Sequence, residues 1–158
     1  GRWGVGGAGA RALGKTNAPR GSNALKRLAT RPSWKGRIRI AGLHGLAELG
    51  DKRAFETGYK IAIEKALATT VRTAARMIVG GLGKGDSRAY PLIFEQFKVA
   101  LDPGNERGII NSVEAIIRIA DPRGQEVFDM LRAKYKNDAD ALRNITQSEN
   151  QFKAALKP

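Results

Sequence analysis

From a set of opening positions, apolar or small side chains return at plus four, plus eight and plus eleven: Ile38, Gly42, Leu46 and Leu49, then Val71, Ala75, Val79 and Leu82. Steps of that size keep one face of a 3.6-residue helix turned the same way, so each stripe predicts an amphipathic helix with one buried side. The stripes close on turn chemistry such as Gly50-Asp51 and Ala120-Asp121-Pro122, a small residue ending one helix and Pro or Asp opening the next. Behind each turn lies a second amphipathic segment, over 22–29, 54–67, 90–101 and 125–135. A last helix is expected over 140–156, with Leu142, Ile145, Phe152 and Leu156 as its buried stripe. Breaks between paired helices are expected at Arg31-Pro32-Ser33, Thr69-Thr70, Asp102-Pro103-Gly104-Asn105 and Asn137-Asp138. No segment alternates convincingly with period two, and the expected fold is all-α.

The pattern is a repeat. Arg20, Arg53, Arg88 and Arg123 follow equivalent turns at spacings of 33, 35 and 35 residues, and the extra length falls in the turn between Leu82 and Arg88, at Lys84 and Gly85. Loops accept such insertions where packed helices do not. With Val-Arg opening the second helix of a unit and Leu-Gly-x-Leu-Gly-Asp closing it, a pattern whose spacing Ile38-Arg39 to Asp51 and Val71-Arg72 to Gly83 hold, the chain resembles HEAT-repeat proteins. The resemblance implies a right-handed α-solenoid of about four helix pairs, with units over about 5–30, 34–68, 71–101 and 106–156 in a single domain spanning 1–158. Gly4, Gly6, Gly7 and Gly9 fall where a helix of the first unit is due, each costing roughly 1 kcal/mol against Ala. Residues 1–10 are therefore expected to form either a frayed terminal helix held by its neighbours or a linker to an upstream domain.

Composition narrows the chemistry. The chain has 158 residues, no cysteine, one histidine and a formal charge of +13. Disulfides and thiolate metal ligands are thereby removed, while the compartment stays undecided. No run of roughly 18 apolar residues occurs, so no membrane span is expected, nor does a charged-then-apolar leader open the chain. A chain that starts at Gly1 is expected to have lost a leader or a parent domain. A catalytic triad or an H-E-x-x-H zinc site needs more than the lone His44, which is expected to be an ordinary helix residue. Asp51, Asp86 and Asp121 recur at equivalent turns with their arginines, which assigns both sets to helix ends and to bonds between repeats. The stretch Gly80-Gly81-Leu82-Gly83-Lys84-Gly85-Asp86-Ser87 lacks the preceding strand and the Lys-Ser/Thr step of a phosphate loop, so a repeat-terminating turn is expected there. No catalytic residue, cofactor or metal is expected in this chain.

The excess charge is lopsided: residues 1–76 hold 16 Lys or Arg against 4 Asp or Glu, and residues 77–158 hold 12 against 11. Lys15, Lys35, Arg37, Arg39, Arg72 and Arg76 all fall on or beside second helices, which in HEAT-type solenoids line the concave wall. They are expected either to converge into a basic, ligand-binding groove or, for Arg39 and Arg72, to pair internally with a turn aspartate such as Asp51 or Asp86.

Three stretches, Ala12-Leu13-Gly14-Lys15-Thr16, Arg31-Pro32-Ser33-Trp34-Lys35-Gly36-Arg37-Ile38-Arg39 and Gly45 to Ala54, resemble the C-terminal HEAT-type region of bacterial zinc aminopeptidases of the gluzincin class. The likeness implies an accessory domain that closes over an upstream catalytic domain of the same chain and offers cations to a substrate's carboxyl end. Carried onto this sequence, that role falls to Arg37, Arg39, Arg72 or Arg76. Neither H-E-x-x-H nor the exopeptidase glycine motif occurs here, so the reaction would belong to other sequence. A different class, nucleic-acid binding in the manner of HEAT-like alkylpurine DNA glycosylases, would use the same cations on phosphates, with Glu48 as the candidate carboxylate. A plain scaffold for a protein or peptide partner is the third expectation.

Overall fold

A computed structural model of the chain describes residues 19–30 and 36–158, and every regular element among them is helical. The order is α1 (Pro19–Thr30), α2 (Arg37–Leu49), α3 (Phe55–Ile63), α4 (Thr69–Leu82), α5 (Ala89–Leu101), α6 (Glu106–Ile119), α7 (Gln125–Lys134) and α8 (Ala139–Leu156). Short 3-10 turns at Lys52–Ala54 and Pro122–Gly124 lead into α3 and α7. The expected helix over 1–10, the break at Arg31-Pro32-Ser33, Lys15, Lys35, Trp34 and the side chain of Arg20 lie outside the described residues. The chain divides into two compact units, Gly1–Leu82 and Gly83–Pro158.

In the first unit α1 packs on α2, α3 on α4, and the two second helices, α2 and α4, on each other. Of the predicted stripes, Gly42, Leu46 and Leu49 on α2 and Val71, Ala75 and Val79 on α4 are buried, whereas Ile38 and Leu82 are half-buried. Two glycines set the spacing. A Cβ on Gly42 would stand 2.6 Å from the main-chain nitrogen of Ala29 on α1, and one on Gly58 of α3 would stand 2.7 Å from Cβ of Ile78 on α4. The helices therefore approach more closely than a side chain allows.

In the second unit α5 packs on α6, and α8 lies against both α6 and α7. The core here is aromatic: Phe97, Phe128 and Phe152 are fully buried, with the rings of Phe128 and Phe152 5.2 Å apart. The stripe expected on α8 is only partly inside. Ile145 and Phe152 are buried, Leu142 is half-buried, Leu156 is exposed, and Glu149 takes the inner position between them.

The expected boundaries between α3 and α4 move. Helix α3 stops at Ile63, four residues short of the predicted end, because Glu64 adopts an extended ψ of 101° and its carboxylate accepts from the Ala66 amide. Side-chain competition for the main chain ends the helix although Leu67 keeps the apolar rhythm. Thr69 and Thr70, expected as a break, are already the first residues of α4. The glycine stretch from Gly80 is the end of α4 followed by a turn, in which Gly85 takes a left-handed φ of 87°.

Candidate functional site

The three Asp-x-Arg turns are built alike. Asp51, Asp86 and Asp121 each accept from the amide of the arginine two residues on, at 2.9, 3.0 and 2.9 Å. The same arginine then folds back so that its guanidinium holds the carboxylate, Arg53 on Asp51 at 2.6 Å, Arg88 on Asp86 at 2.8 Å and Arg123 on Asp121 at 2.7 Å. Those hydrogen bonds pull the Asp51 carboxyl down to about 2 and lower that of Asp121. Arg123 reaches further, donating to the Ser87 carbonyl at 3.0 Å and stacking over the Tyr90 ring, whose hydroxyl donates to Glu126 at 2.5 Å. Burial and that carboxylate raise the Tyr90 pKa. One turn is thus tied to the previous one, as the recurrence of these residues predicts.

The cations of the second helices behave differently. Arg39, in the first turn of α2, donates to the carbonyl of Thr30 at the end of α1 at 2.8 Å, and Arg72 of α4 donates to Ala62 near the end of α3 at 3.3 Å. Each closes the C-terminal carbonyls of the helix before it, where a cation also meets the negative end of the helix dipole. The expected ladder to Asp51 or Asp86 is replaced by these main-chain bonds, since the two aspartates are held by Arg53 and Arg88. Sequence spacing could not separate the two readings, because a carbonyl acceptor leaves no mark in the sequence.

Arg76 stands one helical turn beyond Arg72 on α4 and is half-buried. Its Nε is buried without a hydrogen-bond partner, as is that of Arg39. Desolvation first, and the neighbouring Arg72 second, lower its pKa. Among the described residues no carboxylate lies within ion-pair distance of Arg39, Arg72 or Arg76. The first turns of α2 and α4 meet, Gly36 standing so close to Val71 that a Cβ there would come within 2.6 Å of it. Arg37 and Arg39 follow Gly36 along α2 and Arg72 follows Val71 along α4, with Arg37 exposed. What these four residues offer is guanidinium donors.

His44 is a half-buried residue of α2 and Glu48 is exposed on the same helix. Among the described residues no three His, Asp or Glu side chains gather where they could hold a metal ion. Among them, too, no helix is long and apolar enough to cross a membrane.

The sequence reading missed Glu149. This carboxylate is 7% exposed, accepts both guanidinium nitrogens of Arg132 at 2.7 Å and the Gln125 amide at 2.7 Å, and lies 3.7 Å from Lys153. Its pKa falls to about 2, chiefly through Arg132. It is a structural brace between α7 and α8, hidden because Glu149 breaks the apolar stripe it completes.

Comparison with known proteins matches the chain to no family model. No curated protein matches it either.

Proposed function

We propose that this chain is a non-catalytic binding module, a HEAT-type α-solenoid that holds the carboxylates of an acidic peptide or protein surface on Arg37 and Arg39 of α2 and Arg72 and Arg76 of α4. The observation that carries the reading is the Arg72–Arg76 pair with Arg39: three cations without a carboxylate partner among the described residues, two of them with a buried, unbonded Nε. An unsatisfied buried donor costs about 1–3 kcal/mol, and a guanidinium keeps further N–H donors with which to hold an anion. The surrounding field favours the same ligand, since 16 of the chain's Lys and Arg and 4 of its acids lie in residues 1–76.

Carboxylate is favoured over nucleic acid because α2 and α4 carry no Phe, Tyr or Trp, and stacking platforms are what single-stranded or flipped bases require. The likeness to the accessory domain of zinc aminopeptidases supports the same direction. In that setting the partner is an upstream catalytic domain or the carboxyl end of its peptide substrate, with Arg37, Arg39, Arg72 and Arg76 as the donors.

The test is fluorescence anisotropy of a labelled oligoglutamate and of a generic DNA duplex, each titrated across salt, with the unmodified chain and with Arg72→Gln/Arg76→Gln. The peptide should bind, and the double variant should bind it at least tenfold more weakly, which is about 1.4 kcal/mol. The single variant Arg76→Met should meanwhile unfold at a higher urea midpoint, because an apolar side chain has no donor to leave unbonded. Tighter binding of the duplex, with a slope of several log units per log of salt, would replace the carboxylate reading with the nucleic-acid one.

A further inference from the structure

Within the second unit, α6, α7 and α8 leave a groove of about 400 Å³ that, among the described residues, no Lys or Arg lines. Its floor is apolar, formed by Ile109, Val113 and Ile145 with Ile117 beside them, and Ile110 at its lip is 55% exposed. The charged residues along it are Glu106, Glu114 and Asp138, all acidic. In a chain with 28 Lys and Arg against 15 Asp and Glu, a lining with three acids and no base is a local inversion of the charge.

Two of the three acids are not consumed by structure. Asp138 caps α8 by accepting from the Ala141 amide, while Glu106 and Glu114 are exposed on α6 and, among the described residues, take part in no ion pair. Ile110 and Ile117 stand seven residues apart on one flank of α6, beside the stripe of Ile109, Ser112, Val113 and Ile116 that faces the core. A second apolar flank two turns long, next to a row of carboxylates, is the complement of a helix with an apolar face and basic edges.

We propose that this groove is a docking site for a cationic amphipathic helix from a partner protein, its apolar face on Ile109, Ile110, Val113 and Ile117 and its Lys or Arg residues on Glu106 and Glu114. The groove's volume lies in the range of ordinary ligand pockets, roughly 300–1,000 Å³. The apolar contact supplies affinity, and the carboxylates select the charge of the ligand and fix its register.

The net charge of +13 makes the test discriminating, because non-specific attraction draws an acidic helix to this chain and repels a basic one. Two labelled model helices with the same leucine face are compared by fluorescence anisotropy, one with lysine and one with glutamate at every polar position. The unmodified 158-residue chain should bind the lysine helix, Ile110→Asp should weaken it at least tenfold, and Glu106→Lys/Glu114→Lys should transfer preference to the glutamate helix. Arg72→Gln/Arg76→Gln should leave lysine-helix binding unchanged, which keeps this result separate from the binding of acidic ligands. Three outcomes would overturn the proposal: no lysine-helix binding, binding indifferent to Ile110→Asp, or a self-associated chain in sedimentation that Ile110→Asp converts to monomer, which would mean that a second copy fills the groove. Ile110 is exposed, so circular dichroism of Ile110→Asp should match the unmodified chain and a binding loss can be assigned to the groove.

Discussion

Ala120 ends α6 in the left-handed region, with φ 52° and ψ 43°, and its amide closes the helix on the Ile116 carbonyl at 3.1 Å. At the equivalent end of α2 the same geometry, φ 68° and ψ 15°, is taken by Gly50 with no atom near where a Cβ would stand. A Cβ in this conformation crowds the following carbonyl at a cost of roughly 1–2 kcal/mol, part of which is offset because Gly frees the unfolded chain. Ala120→Gly should therefore raise stability by about 0.5–1 kcal/mol in urea unfolding, with an unchanged m-value. A loss of stability would show that the Ala120 methyl makes contacts worth more than the strain. The Asp-x-Arg turn that follows is readable from its three occurrences, whereas the choice of Arg39 and Arg72 for main-chain carbonyls emerges only from the folded chain.

Between elements, the decisive quantity is how closely helix axes approach. Gly→Ala inside an exposed helix ordinarily stabilises by roughly 0.5–1 kcal/mol, and Gly81 on α4, with open space at its Cβ position, should follow that rule. Gly42 should reverse it. Its added methyl would meet the main chain of α1 at 2.6 Å from Ala29 N and 3.0 Å from Leu25 O, atoms that cannot rotate away. Gly42→Ala should cost about 1–3 kcal/mol by forcing α1 and α2 apart, and the pair of variants measured side by side in urea gives opposite signs. The helices themselves were legible because period 3.6 is strong wherever a face is buried, as on α2, α4 and α6. It failed at Leu67, where local bonding by Glu64 overrides the rhythm, and on α8, where a salt-bridged glutamate occupies an inner position that the rhythm assigns to an apolar residue. The basic residues of the candidate site were legible as charge, and the docking groove was written only in the doublets Ile109-Ile110 and Ile116-Ile117, each with one residue beyond what the core needs.

At the scale of the whole chain, its response to acid should be set by a few carboxylates that ionise far more readily in the folded state than in the unfolded one. Asp51 in the first unit and Glu149 in the second both titrate at about 2, held down chiefly by Arg53 and Arg132. Unfolded, such groups titrate near 4, so between about pH 4 and 2 the unfolded chain binds more protons than the folded one. Their stabilisation is complete above the unfolded value and disappears as the pH falls through the folded one. The net charge of +13 sharpens the effect, because every carboxylate neutralised in that window adds to self-repulsion. Glu149 lends itself to a test: Glu149→Gln leaves Arg132 free to turn to solvent, so at pH 7 the variant should be less stable by about 2 kcal/mol. Urea unfolding repeated at successively lower pH should show the two proteins converging as the pH approaches 2. A difference that persists undiminished at that pH would mean that Glu149 acts through packing, with its charge irrelevant to the stability of α7 on α8.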